Sequence, residues 1–340
     1  MHGTTENTDT IQPSSPSEGA RPLRLAAIAI GRNEGERLVR CLTSLLPHAE
    51  RVIYVDSGST DGSRARATEL GAEVIALDMT RPFTAARARN AGLDRVGSVE
   101  FVQFVDGDCE VDANWIPTAL AAMSANPDLA VAAGRRRERF PEASIYNRIC
   151  DIEWNTPIGP AQAVGGDMLA RREALVEIGG YDPSLIAGEE PEMCLRLARA
   201  GWQIERLDAE MTLHDAAMTR FSQWWKRSRR AGHAFAEVSW RYRDGPEGFW
   251  RREARRPLIW AGAIPLVLIL VSATVSPWAL LGFALYPIQI ARLALGDPEP
   301  ARRWGRAFFN TLGKLPEAWG VAEYHIRRLL GRRSGLIEYK

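Results

Sequence analysis

Between Leu25 and Asp106 the chain alternates short apolar runs with helical patterns, and that alternation restricts the fold more than any other feature. The runs are LAAIAI from Leu25, RVIYVD from Arg51, AEVIAL from Ala72 and FVQFVD from Phe101. Each has the length and the aliphatic or aromatic content of a buried strand. The segments EGERLVRCLTSLL, GSRARATELG and TAARARNAGLDRV lie between them and suit helices. Strand–helix alternation predicts an α/β fold, a mostly parallel sheet with helices on both faces. In such sheets ligands bind beyond the carboxyl ends of the strands. Asp56 ends the second run and Asp106 the fourth, so two carboxylates are expected at one edge.

Asp108 follows Asp106 after a single glycine. Residues two apart in extended chain point to the same side, which suits two carboxylates sharing one ligand. A helix cap or turn is the competing account of the same residues. The four cysteines (Cys41, Cys109, Cys150, Cys194) form no CxxC pair and read as reduced, buried thiols, with neither a zinc site nor a disulfide frame expected. Up to Thr219 there are 22 Lys+Arg against 33 Asp+Glu, a balance of −11; after it 21 against 9 give +12. A basic back half suits phosphates or an anionic surface.

Residues 1–22 lack a signal peptide's basic start and apolar core and read as a disordered tail. Residues 23–243 form the expected α/β domain, and 244–257 a basic linker. From Pro257 no charge occurs until Arg292. Pro265, Pro277 and Pro287 divide this stretch into two short apolar spans, Leu258–Val275 and Trp278–Leu295. Two crossings of a membrane as a hairpin over residues 258–295 are expected, with buried helices or a re-entrant hairpin as the alternative. WRREARRP before the stretch and ARRWGR after it place both ends on the cytoplasmic side by the positive-inside rule. Residues 296–340 read as an amphipathic basic tail, at the membrane surface or packed as an arm against the domain.

Five motifs occur in order: VDSGSTDGS (Val55–Ser63), ARNAGL (Ala88–Leu93), VDGDCEVD (Val105–Asp112), GGDMLARREAL (Gly165–Leu175) and GEEPEMCLRLARAGW (Gly188–Trp202). Together, over roughly Leu25–Glu237, they resemble the family 2 glycosyltransferases, inverting enzymes of the GT-A (Rossmann-like) fold with bacterial membrane-associated members. The resemblance implies a nucleotide-diphosphate sugar donor and a divalent metal, Mn or Mg. It implies Asp108 as a metal ligand, Asp106 facing both ribose and metal, and His214 completing the metal shell after a strand pair. Asp56 matches the position that contacts base and ribose, with Ser57 in the loop beside it. Asn33 and Glu34 stand where the family shows Asn-Glu, here in GRNE instead of Pro-x-x-Asn-Glu. Arg89 and Asn90 fall on the helix that lines the nucleotide pocket, a solvated face being the alternative for Arg89. In GEEPE the register places Glu190 at the general-base position, where the family has Asp; Glu189 is the fallback and Glu192 reads as structural. QWWKRSRRAGH (Gln223–His233) loosely resembles the family's Gln-x-x-Arg-Trp element, so Lys226 or Arg227 would meet the diphosphate unless this is an interfacial helix.

The expected function is inverting transfer to an acceptor hydroxyl on a lipid-linked glycan, at the cytoplasmic face of the inner membrane, in surface polysaccharide assembly. The alternatives are synthesis of a polyprenyl-phosphate sugar and a non-catalytic membrane scaffold. No nucleic-acid partner is expected. GRNEGE after the first strand is no GxGxxG, which removes a dinucleotide-dependent oxidoreductase.

Overall fold

A computed structural model describes residues 24–297 and 303–332; the tail expected over residues 1–22 lies outside them. The chain begins β1 (Leu25–Gly31), α1 (Glu36–Leu45), β2 (Arg51–Asp56), α2 (Ser63–Glu69), β3 (Glu73–Ala76), α3 (Ala85–Leu93) and β4 (Phe101–Asp106). It continues β5 (Cys109–Val111), α4 (Trp115–Ala125), β6 (Leu129–Glu138), α5 (Ile145–Glu153), β7 (Gly159–Pro160), β8 (Met168–Arg171), α6 (Arg172–Glu177), α7 (Glu189–Arg199) and β9 (Gln203–His214). Helices α8 (Phe221–Arg241), α9 (Arg251–Pro257), α10 (Ile264–Thr274), α11 (Leu285–Leu295), α12 (Arg303–Leu312) and α13 (Lys314–Leu329) complete it.

One sheet runs in the order β3-β2-β1-β4-β8-β6-β9-β5, with β7 paired to β9. The first four strands are parallel, as the alternation predicts. The second half is mixed, because β8 runs antiparallel to both β4 and β6. Cores cover both faces. On one, Leu38, Leu42 and Leu45 of α1 and Trp115 of α4 are buried; on the other, Ala86 and Ala88 of α3 join Met193 and Leu197 of α7. The spacing of Leu38, Cys41, Leu42 and Leu45 is that of a single helix face.

The apolar stretch forms two helices, Arg251–Thr274 and Pro277–Leu295, of 24 and 19 residues. At ~1.5 Å per residue each approaches or exceeds the ~30 Å hydrocarbon core. The prolines sit at seams rather than breaking the spans. A π-helical segment, Leu258–Ala263, runs up to Pro265, whose ring needs room at the preceding turn. Pro277 opens a 3-10 segment, Pro277–Ala284, and Pro287 lies in the first turn of α11. The two arms pack on each other: Gly282 lies against Leu268, and the Tyr286 hydroxyl donates to the Trp260 carbonyl. Only 6% of each apolar window is buried, an exposure that water would penalise heavily.

Of the two placements expected for the tail, α13 adopts the arm. It lies on α8, and the two meet at glycines. A Cβ on Gly232 would come 2.0 Å from the Glu317 carbonyl oxygen, and one on Gly320 would come 2.0 Å from the Arg229 carbonyl oxygen. The outer face still carries exposed Trp304, Phe308, Trp319 and Ile326. Gly320→Ala is expected to destabilise the arm by about 1–3 kcal/mol, because backbone on both sides leaves no room for a methyl. Thermal unfolding of the full chain in detergent measures this; an unchanged midpoint would contradict the packing.

Candidate active site

A cleft of about 590 Å³ opens at the carboxyl ends of β1 and β4, lined by Arg32, Asn33, Glu34, Ser57, Asp106, Asp108, Arg136, Trp154, His214 and Arg230 among others. Its wall beyond β2 is built by short polar bonds. The Asp56 carboxylate accepts from the Tyr54 hydroxyl (3.0 Å) and from the amides of Gly58 (3.1 Å) and Ser59 (3.0 Å). Asn33, at φ 57°, accepts at Oδ1 from the Thr60 amide (2.8 Å) and donates its own amide to Ser59 Oγ (2.9 Å). The GSTDG loop is thereby tied to the turn after β1. Glu34 pairs with Arg37 at 2.9 Å.

Two residues expected to contact the nucleotide stand behind the lining. Asp56 is 1% exposed, and its carboxylate is engaged by the Tyr54 hydroxyl and the amides of its own loop. Asn90 is held at both ends of its amide by the Tyr181 backbone, at 2.8 and 2.9 Å, and also stands outside the lining. Ser57 and Glu34 do line it.

Arg89 is neither a solvated residue nor a lining residue but a buried hub, 2% exposed. Its Nη2 meets Asp106 Oδ1 at 2.9 Å, and its Nη1 meets Glu190 at 2.9 Å and Glu189 at 3.2 Å. One guanidinium therefore spans from the edge of β4 to the first turn of α7. Burial works against its charge, but Glu190 and Asp106 more than offset that and hold its pKa above the ordinary value. Gly166 makes the approach possible, since a Cβ there would come 2.3 Å from Arg89 Nη2. Gly188, at φ 80°, opens α7 in a conformation that favours glycine. The two candidate bases also stand outside the cleft lining, behind Arg89; Glu189 has 4% of its side chain exposed and Glu190 15%. Burial, then the neighbouring Glu189 charge, push the Glu190 carboxyl up to about 7 from an ordinary value near 4.5, against the pull of Arg89. Glu192 is buried and engaged by Arg196 and the Tyr242 hydroxyl, a structural role.

Asp106 is also gripped from the other side. Arg136 Nη2 lies 3.2 Å from Asp106 Oδ2 and 2.7 Å from Asp167 Oδ2, and Asp167 Oδ1 accepts the Asp106 amide at 3.0 Å. Arg136, Asp167 and Trp154, whose ring lies under the Arg136 guanidinium, carried no role in the sequence reading. The arginine run GRRRER from Gly134 and the Asp of GGDM were the available signals.

Asp108 and His214 form the other pole. His214 Nε2 lies 3.1 Å from Asp108 Oδ2, and both side chains are buried. His214 arrives at the end of one 12-residue strand, β9, rather than after a strand pair. Its Nδ1 faces Glu138 Oε2 at 3.7 Å, and Glu138 is held by the amides of Phe140 and Ala216 and by Asn147. Cys109 stands beside them, so that one ligand atom from each of Asp108, Cys109 and His214 falls within 4.8 Å of the others. Absence of CxxC spacing gave no hint of this trio. Burial, then Asp167, raise the Cys109 thiol well above its ordinary value, which opposes the thiolate a metal needs. The donors that fit a cation are one carboxylate oxygen and one imidazole nitrogen, with Asp106 on the same rim.

The chain has matches among known families and proteins. The chain matches glycosyl transferase family 2 over residues 28–166 and glycosyl transferase family group 2 over residues 129–295. An uncharacterized glycosyltransferase of Mycobacterium tuberculosis is 30% identical over 190 residues, 52% of this chain and 79% of that protein. The fold is that of a GT-A glycosyltransferase. This chain belongs to glycosyltransferase family 2, a family of nucleotide-sugar-dependent enzymes. A succinoglycan biosynthesis protein of Rhizobium meliloti is 27% identical over 177 residues, 48% of this chain and 54% of that protein. The chain likewise spans about half the length of other curated relatives it matches. A mannosyltransferase from Pyrobaculum calidifontis, solved with GDP-Man and Mn²⁺, shares the fold at TM-score 0.56 and 17% identity, covering 92% of this chain and 88% of that one.

Proposed function

We propose that this protein is an inverting glycosyltransferase that moves a sugar from a nucleoside-diphosphate donor to a hydroxyl of a lipid-linked glycan at the cytoplasmic face of the inner membrane. The observation that carries the reading is the Arg89 guanidinium. It ties Asp106, at the cleft, to Glu190, a half-buried carboxyl poised near neutrality on α7. A group that must take a proton from a hydroxyl at cellular pH works best with a pKa near that pH. Glu190 is the base in this reading, and Glu189, more deeply buried, is held beside it to raise its pKa.

Asp108 and His214 would hold a divalent cation, whose Lewis acidity would stabilise the charge gathering on a leaving diphosphate; Asp106 would join them only by giving up Arg89 or Arg136, which pair with its two oxygens. Imidazole suits Mn²⁺ better than Mg²⁺, which prefers an all-oxygen shell. The mannosyltransferase of the same fold was solved with Mn²⁺ and a nucleotide sugar, which supports the same class of donor here. Asn33, Glu34 and Ser57 face the space a nucleotide would fill, and Arg227 and Arg230 of α8 bring positive charge to it.

The membrane placement rests on two exposed apolar helices long enough to span, and on the basic flanks at Arg251–Arg256 and Arg303 onward. The likeness to a succinoglycan biosynthesis protein supports a glycan acceptor in surface polysaccharide assembly. A lipid phosphate as acceptor would arrive already ionised and need no base, so Glu190 favours the hydroxyl. The test is a panel of UDP-, GDP- and dTDP-sugars offered to full-length protein with Mn²⁺ and lipid-linked glycans. Label is expected in the lipid fraction with one donor, with inverted anomeric configuration and with loss in EDTA. Full transfer in EDTA, or transfer only to water-soluble acceptors, would overturn the reading.

A further inference from the structure

A second, smaller cavity lies where the apolar hairpin meets the arm. It measures about 200 Å³ and is lined by Arg256, Trp260, Gln289, Asn310, Thr311 and Lys314, with Leu293. Among the described residues its polar side chains all carry hydrogen-bond donors and two are cations. Lys314 also pairs with Glu317, which stands just outside the lining, and the Thr311 hydroxyl donates to the Ala307 carbonyl, which leaves Arg256, Gln289 and Asn310 as the donors for a ligand, with Lys314 shared. Its position is as specific as its chemistry. Arg256 is the last charged residue before the apolar span begins, and Gln289 is a polar side chain inside the second span. A polar side chain at that depth marks a site rather than a lipid-facing surface. Trp260 and Leu293 supply an apolar side, and Trp260 stands against Tyr286 of the other arm at 5.9 Å between ring centroids. Donors and cations together with an aromatic and an aliphatic side chain suit a phosphate joined to a hydrocarbon chain.

The cavity is also linked to the cleft by packing. Lys314 opens α13 directly after α12, and Phe309 of α12 packs edge-on against Trp224 of α8, centroids 5.0 Å apart. About one helical turn along α8, Arg227 lines the cleft and pairs with Glu153 at 2.7 Å.

We propose that this cavity binds the diphosphate of the polyprenyl carrier on which the acceptor glycan is built. The inference deepens the lipid-linked reading and rests on it for the acceptor's identity, but the binding itself is measured apart from transfer. Full-length protein in phosphatidylcholine nanodiscs is titrated with a polyprenyl diphosphate, with phosphatidylserine and with inorganic pyrophosphate as separate probes. Tight binding of the polyprenyl diphosphate alone is expected. The double substitution of Arg256→Gln and Lys314→Gln should weaken it by at least about tenfold, two charge-assisted contacts being lost. Asn310→Ala, which keeps both charges, should weaken it less, and an unchanged melting midpoint shows that the fold is kept. Asp108→Asn should leave this binding as it is. If no donor is ever transferred but these differences hold, the lipid site stands while the transferase reading fails. Equal binding by wild type and double variant, equal preference for phosphatidylserine, or competition by pyrophosphate at the same concentration would overturn the proposal.

Discussion

Glu190→Gln is expected to lower kcat for transfer by about 10²–10⁴-fold while nucleotide binding survives. The glutamine keeps the shape and a contact to Arg89 but can take no proton. Arg89 retains Asp106 and Glu189 as partners at 2.9 and 3.2 Å, so the hub and the fold around it persist. The same carboxyl sets the pH dependence of the wild type. Because burial and Glu189 push Glu190 up to about 7, its ionised, proton-accepting form is lost as pH falls through neutrality. At pH 6 roughly a tenth remains ionised, so kcat/KM should fall along an acid limb with an apparent pKa near 7. A free carboxylate would put that limb near 4.5. Glu189→Gln removes the neighbouring charge and is expected to shift the limb to lower pH, not to abolish turnover. A crippled Glu189→Gln beside an active Glu190→Gln would reverse the assignment.

The strands of the parallel half were legible because their signal is local, and Asp106 and Asp108 announced an acidic edge through position in a single run. Arg89 was placed on the right helix but given the wrong neighbours. Nothing in ARNAGL tells that Gly166, far along the chain, leaves room for a buried guanidinium to reach both Asp106 and α7. Arg136 and Asp167 were missed for a related reason. They reach the site on β6 and just before β8, and the order β4-β8-β6 follows from pairing across a long sequence separation that no periodicity records. Asp56 and Asn90 pose the opposite difficulty. Short polar residues beside glycines suit ligands and backbone groups equally well, and here the backbone claims them. The prolines of the hairpin argued against long helices, yet a π-helical segment and a 3-10 segment beside them keep each span continuous.

Asp108→Asn is expected to remove Mn²⁺ binding and, with it, transfer. The prediction follows from how completely this pole of the site is built around one charge. Asp108 and His214 face each other at 3.1 Å with side-chain exposures of 3% and 6%, and Trp154 closes over the imidazole with ring centroids 4.7 Å apart. A neutral amide there offers a poorer oxygen and brings donor hydrogens toward the imidazole nitrogen. His214→Gln should weaken binding without abolishing it, because the Asp108 charge remains. Glu138 does not line the cleft and stands behind His214, its Oε2 3.7 Å from Nδ1, a gap that would have to close to a hydrogen bond when His214 ligates through Nε2. Glu138→Gln should therefore cost about 10–100-fold in Mn²⁺ affinity, the range expected when a ligand's supporting carboxylate is lost. Titration of free Mn²⁺ by electron paramagnetic resonance measures all three variants without calling on activity, and thermal unfolding separates lost ligation from lost fold. Wild-type affinity in Asp108→Asn would remove the cation from this pole. Wild-type affinity in Glu138→Gln alone would leave the cation in place and reduce Glu138 to holding the turn after β6, where it accepts the amides of Phe140 and Ala216.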